Sequence, residues 1–227
     1  MNNPVIIGKA TIYNCDCMEL LKATPDKFYD LAIVDPPYGI DAGNSFGGEV
    51  RKSGNGCAMK SAFEKKSWDL EIPTIEYFNE LKRVSKNQVV WGANYMTTYL
   101  PPSIGWIVWD KDNGTTKFSD CELAYTSFEN ALRKFTYTWN GMIQGNMKNK
   151  EQRIHPTQKP VKLYEWLLTN YAKQGDKILD THCGSGSIAI ACNNLGFELT
   201  ACELDKDYYE ASIKRIQQAT AQERLFA

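Results

Sequence analysis

The sequence predicts an α/β protein: a mostly parallel sheet, doubly wound, with helices on both faces. Three observations lead there. Short apolar runs of strand length recur along the chain, stretches with apolar residues at helical spacing lie between them, and the two kinds alternate rather than coming in blocks.

Taken in order, a short strand at Ala10–Tyr13 leads into a helical stretch over 16–23. Asp30–Val34 is the next strand, an apolar run that stops at an acid and two prolines. Residues 39–67 are too rich in Gly, Ser and Lys for a core and long for a connection, and they read as a mobile loop. A helix over 74–85 and strands at Gln88–Trp91 and Ile104–Trp109 follow. The second half repeats the pattern with a helix over 160–173, strand Lys177–Asp180, helix 187–195, strand Glu198–Ala201 and helix 205–218. In that last helix Tyr208, Ala211, Ile213 and Ile216 recur among charges. Only 118–154 breaks the alternation. Glu122–Phe128 and Leu132–Trp139 look like strands and a polar run follows, as an antiparallel edge or a small inserted region would give.

The chain of 227 residues is 43% hydrophobic, enough for a sizeable core and long enough for one domain spanning 1–227. It has no apolar run of membrane-spanning length, and its start lacks the order of a secretion signal, so a soluble cytoplasmic protein is expected. Seven cysteines without CxxC spacing and only two histidines speak against a metal site.

The net charge of −1 hides an uneven distribution. Residues 133–162 carry seven basic side chains and one acid, a net +6, and 39–67 carry a further +2. A polyanion-binding face would therefore be local, with Arg51, Lys52, Arg133, Lys134, Lys148, Lys150 and Arg153 as its candidate nucleic-acid contacts. A solvated lysine-rich loop is the plainer alternative.

Asp35-Pro36-Pro37-Tyr38 is the most informative string. The prolines end the strand and stiffen the turn, which fixes a carboxylate, an imide carbonyl and an aromatic ring at a strand's carboxyl end. Those groups suit a planar amine. An exocyclic amino group on a base is a poor nucleophile because its lone pair is delocalised. Two acceptors, Asp35 and the Pro36 carbonyl, would aim that lone pair, and Tyr38 would stack on an extruded base.

Lys177-Ile-Leu-Asp180-Thr-His-Cys183-Gly184-Ser185-Gly186 is a strand, an acidic turn and a Gly-x-Gly entry into a helix, the geometry for a nucleotide-like cofactor. Glu203, ending the following strand, can accept from ribose hydroxyls, and Asp205 reads as the cap of the last helix.

These strings resemble the motifs of the beta-group amino DNA methyltransferases, enzymes of N6-adenine and N4-cytosine. Asp35–Tyr38 matches the catalytic motif and 180–186 the loop that binds S-adenosylmethionine, although His182 stands where an apolar residue is usual. His155-Pro-Thr157-Gln-Lys159-Pro160 resembles the motif packed on the cofactor's methionine half. Asn14-Cys-Asp16-Cys resembles the segment whose acid faces the adenine; a helix N-cap is the alternative for Asp16.

The resemblance implies a Rossmann-like fold with a seven-stranded, mostly parallel sheet, an antiparallel edge strand and a small inserted recognition region at about 118–154. It also implies S-adenosylmethionine as cofactor, double-stranded DNA as substrate and a homodimer, with no metal. Asp at position 35 favours adenine over cytosine-N4. Carbon-5 chemistry is disfavoured because no proline precedes a cysteine. An RNA or protein-amide methyltransferase and a non-catalytic nucleic-acid binder are the remaining alternatives.

Overall fold

The computed structural model describes residues 3–45, 65–114, 119–140 and 143–223. The chain opens with a hairpin, β1 (Val5–Ile7) and β2 (Ala10–Asn14), closed by a two-residue turn in which Gly8 takes φ +58°. Helix α1 (Cys17–Ala23) leads to β3 (Tyr29–Val34), and beyond it lie the short α2 (Ala42–Ser45), α3 (Ile75–Val84) and β4 (Ser85–Trp91). Then come β5 (Ile107–Asp110), β6 (Cys121–Thr126), β7 (Arg133–Thr136), and a small ribbon of β8 (Trp139–Asn140) and β9 (Ile143–Gln144). The last third is α4 (Val161–Tyr171), β10 (Lys177–Asp180), α5 (Ser187–Leu195), β11 (Glu198–Glu203) and α6 (Lys206–Glu223).

Among the described residues the main sheet has nine strands in the order β1-β2-β11-β10-β3-β4-β6-β5-β7. The pairings make β1 and β6 the two strands that run against the others. The sheet is thus mostly parallel, with two more strands than the seven expected and an antiparallel strand inside the sheet as well as at its edge. Within 118–154, β6 and β7 belong to this sheet, and the two-stranded ribbon of β8 and β9 stands apart.

Period-two alternation divides the core between the two faces. Leu31, Ile33, Val89, Trp91, Ile178 and Leu199 pack under Leu163, Leu167, Ile188 and Ile216 of α4, α5 and α6. Ala32, Val34, Val90, Leu179 and Cys202 pack under Leu20, Leu21, Phe78 and Leu81 of α1 and α3. The chain leaves β3 toward β4 and leaves β10 toward β11, in opposite directions from neighbouring strands. That divergence opens a crevice at the carboxyl ends of β3 and β10, the usual ligand position in such sheets. No described helix is long and apolar enough to cross a membrane.

Candidate active site

A cavity of about 800 Å³ lies at that crevice. Into it open Asp35 and Pro37 after β3, Asp16 before α1, Thr157 and Lys159 before α4, Cys183, Gly184 and Ser185 after β10, and Glu203 at the end of β11. Residues far apart in sequence meet because parallel strands β2, β11, β10 and β3 all end on the same side.

The turn after β10 is built for close approach. Gly184 and Gly186 take φ +51° and +74°, and α5 begins immediately beyond. Glu203 accepts from the Gly184 N–H at 2.8 Å and from the Asp205 N–H at 2.9 Å, which fixes its carboxylate beside the turn. Asp205 accepts from the N–H groups of Asp207 and Tyr208, as a cap, and also pairs with Lys66 at 2.7 Å. Asp16 serves as cap and cavity wall together: it accepts from Met18 N–H at 2.8 Å while facing the cavity.

Two residues of the glycine segment stand elsewhere. Asp180 is buried behind the turn and accepts from the His182 N–H at 3.0 Å. Burial, with Asp35 and Glu203 nearby, pushes it up to about 8, so it is mainly protonated at neutral pH. Gly186 packs against Ile216 rather than lining the cavity. His182 lines the cavity, and its Nδ1 meets the Thr181 hydroxyl at 2.9 Å; burial holds it down at about 4.

Around Asp35 the charges are tightly paired. Its Oδ1 accepts from the Tyr38 hydroxyl at 2.7 Å and its Oδ2 meets Lys159 Nζ at 2.6 Å. Lys159 also bridges to Glu122 at 3.0 Å, and the other oxygen of Glu122 meets Lys111 at 2.7 Å. Burial alone would push Glu122 up, but the two ammonium groups outweigh it and hold it at about 2. Burial also pushes Asp35 up, against the pull of Lys159. Lys159 therefore turns toward the Asp35 carboxylate, where the sequence placed it beside a cofactor carboxylate. Thr157 hydrogen-bonds His155 Nδ1 at 3.1 Å.

Tyr38 is not an open stacking face. Its hydroxyl is on Asp35, Gly92 leaves no room for a side chain against its ring, and Tyr95 stacks on it at 5.3 Å and 19°. Tyr95, 43% exposed, is the aromatic that meets solvent there.

The basic candidates are scattered. Arg51 and Lys52 lie outside the described residues. Arg133 opens β7 opposite Ile107, at the end of the sheet away from the cavity, and Lys134 pairs with Asp110 at 3.2 Å. Arg153 is partly buried over the Trp139 ring at 4.7 Å. Lys148 and Lys150 are exposed.

Residues 119–214 match the DNA methylase family. Type II methyltransferase M.HinfI of Haemophilus influenzae is 24% identical over 92% of this chain and 68% of its own length. The chain is related to the DNA methylases. Its fold agrees: the M1.HpyAVI complex with SAM superposes with TM-score 0.58 at 18% identity, covering 91% of this chain and 98% of that one. PvuII DNA methyltransferase, described as cytosine-N4-specific, gives 0.57 at 13% identity over 94% and 90% of the two chains. The segment matching the methylase family takes in Glu122, Lys159, the glycine turn and Glu203, and leaves Asp16 and Asp35 outside it.

Four residues that shape this methylase-like site escaped the sequence reading. Asp69, buried, accepts from the N–H groups of Tyr38 (2.5 Å), Gly39 (3.0 Å) and Ala42 (2.9 Å), and so pins the turn after Pro37. Glu122 sits opposite Asp35 because antiparallel β6 begins where its parallel neighbours end. Glu151 and Arg215 pair at 2.6 Å; Arg215 also donates to the Ser185 carbonyl, and Glu151 accepts from Val161 N–H, bracing the glycine turn against α4. Each is a lone charged residue with no spacing signal.

Proposed function

We propose that this chain transfers a methyl group from S-adenosylmethionine to the N6 amino group of adenine in DNA. The observation that carries the reading is the single cavity shared by the Asp35 turn and the glycine turn. A site for an amine acceptor and a site for a nucleotide-like cofactor then meet within one ligand-sized space, inside the range of about 300–1,000 Å³ usual for small molecules.

The residues present suit that cofactor. Glu203 offers carboxylate oxygens to a ribose diol, Asp16 an acceptor to an adenine amine, Thr157 and Ser185 hydroxyls to the amino-acid end, and the positive-φ Gly184 lets the backbone come close. When bound, the cofactor supplies an electrophilic methyl carbon on a positively charged sulfur.

The protein's part is to present the nitrogen. Asp35 and the Pro36 carbonyl each accept one N–H, which turns the amine lone pair toward the methyl carbon and stabilises the positive charge that develops on nitrogen. The methylated nitrogen would have to shed one proton, and Asp35, whose carboxylate accepts from it, is the base in place to take that proton. A base inside a duplex is out of reach, so it is extruded, and Tyr95, stacked on Tyr38 and exposed on its other side, is the aromatic open to it. Asp at position 35 supports adenine.

Tritiated methyl transfer onto unmethylated duplex DNA, followed by mass spectrometry of the nucleosides, tests this. N6-methyladenine with the wild type and none with Asp35→Ala is the expected result. N4-methylcytosine would overturn the base, and transfer to RNA or protein alone would overturn the substrate. Asp35→Ala is expected to keep its affinity for S-adenosylmethionine by calorimetry; a folded variant that has lost it would overturn the assigned role of Asp35.

A further inference from the structure

The charges beside Asp35 form a line of alternating sign: Asp35, Lys159, Glu122, Lys111. Each comes from a different segment: the turn after β3, the turn before α4, the second residue of β6, and the residue after β5. The Lys159 side chain is only 3% exposed, and each of its three protons has an acceptor: Asp35 Oδ2 at 2.6 Å, Glu122 Oε2 at 3.0 Å and the Tyr38 hydroxyl at 3.0 Å. The Tyr38 hydroxyl in turn donates to Asp35 Oδ1. Both oxygens of Asp35 are thus tied to this one ammonium, directly and through Tyr38. The ammonium also lies 5.5 Å from the ring centres of both Tyr38 and Trp91.

A lysine buried this deeply is costly unless every charge around it is matched, and here the matching consumes its whole donor capacity. It has no proton left to hold a cofactor carboxylate. We propose that Lys159, anchored by Glu122, is a positioning residue for Asp35, fixing the carboxylate that takes the target amine. This rests on the reading of Asp35 given above.

The arrangement does two things for Asp35. Three hydrogen bonds among Lys159, Tyr38 and Asp35 fix the plane of the carboxylate, so an incoming N–H meets an acceptor already oriented. Lys159 also opposes protonation. A carboxylate left alone in this buried place would take up a proton, and one of its oxygens would then present a donor to the amine instead of an acceptor. Glu122 acts in the opposite sense on Asp35 while holding Lys159 in place. The other groups facing Asp35 are Tyr38, Tyr164 of α4 and Asp180 of β10, with His155 and Lys111 beyond Lys159 and Glu122.

Opposite effects from two substitutions separate this role from a merely structural one. In protein labelled with carbon-13 at the Asp side-chain carboxyls, the Asp35 signal is assigned by its loss in Asp35→Asn and followed against pH. Lys159→Met is expected to raise the Asp35 midpoint and Glu122→Gln to lower it, each by about tenfold or more in proton affinity. Midpoints that stay at the wild-type value, or move the same way in both variants, would overturn the proposal. Should Lys159→Met not fold, the uncharged Lys159→Gln takes its place, and the Asp35 midpoint must rise there as well.

In methyl transfer, Lys159→Met is expected to lower kcat by about a hundredfold, with KM for DNA and cofactor within about twofold, and Lys159→Arg to recover part of the rate. A loss confined to KM would also overturn the proposal. Wild-type protein that transfers no methyl group to DNA would overturn the reading of the reaction, and the titration would still decide the role of Lys159.

Discussion

Asp69 shows how much a single carboxylate can organise. Three backbone N–H groups converge on it, and the segment they come from includes Gly39 at φ +70° and Asp41 at φ +56°, left-handed positions that need outside support. Asp69→Ala would leave the buried Ala42 N–H and the part-buried N–H groups of Tyr38 and Gly39 without this acceptor. A destabilisation of about 3 kcal/mol is expected in denaturant unfolding, with slower methyl transfer because Tyr38 is no longer held. Asp180 gives a second prediction at this scale. Its folded value of about 8 lies above that of an unfolded Asp, so it contributes stability that is full in acid and is lost as pH rises through about 8. Asp180→Asn keeps an acceptor for the His182 N–H and cannot ionise. Wild type is therefore expected to lose more stability than the variant between pH 5 and pH 8.5; equal losses would show that Asp180 is ionised throughout. The motif residues were legible in the sequence because their spacing repeats a pattern. Asp69, Glu122 and Arg215 were not, because a lone charge acquires its role only when a distant strand or helix delivers a partner to it.

At the scale of elements, most strands and helices could be read from periodicity. β3, β10, α5 and β11 lie where alternating or continuous apolar residues put them, and helix 74–85 is found at Ile75–Val84. β1 was missed since three residues carry too little pattern. The direction of β6 was also hidden, because it depends on its pairing with β4 and β5 and not on its own side chains. That direction is what brings Glu122 to the site. The turn into α5 gives a prediction that distinguishes two glycines with similar backbone conformations. A Cβ on Gly186 would stand 2.7 Å from Ile216 Cδ1 and 2.9 Å from its Cγ1, whereas a Cβ on Gly184 would meet nothing closer than His155 at 3.9 Å. Gly186→Ala adds overpacking to left-handed strain and is expected to cost about 3 kcal/mol of stability. Gly184→Ala is expected to cost about 1 kcal/mol, from strain alone, and to weaken cofactor binding because Gly184 lines the cavity. Unfolding and calorimetry on the two variants measure both effects, and similar stability losses would contradict the packing difference.

Across the whole molecule, the concentration of positive charge over 133–162 is much reduced once the chain is folded. Lys159 is consumed by Asp35 and Glu122, Lys162 pairs with Glu165, Lys134 with Asp110, and Arg153 lies over Trp139. The sequence counts all of these as one patch, but only folding shows which charges face solvent. Lys148 and Lys150 remain exposed on the segment that runs directly into His155 and the cavity, while Arg133 sits at the opposite end of the sheet. A phosphate backbone presented to the site would therefore meet Lys148 and Lys150 and miss Arg133. Each lysine bound to a phosphate releases condensed counterion, so each adds to the steepness with which affinity falls as salt rises. Lys148→Ala and Lys150→Ala are each expected to weaken duplex binding to a similar degree on any sequence and to reduce the slope of log affinity against log salt by about one. Arg133→Ala is expected to leave both affinity and slope unchanged. Fluorescence anisotropy of a labelled duplex titrated at several sodium chloride concentrations measures all three. A slope altered by Arg133→Ala and not by the two lysine variants would move the DNA path to the far end of the sheet, away from Asp35, and would be incompatible with one bound duplex serving this cavity.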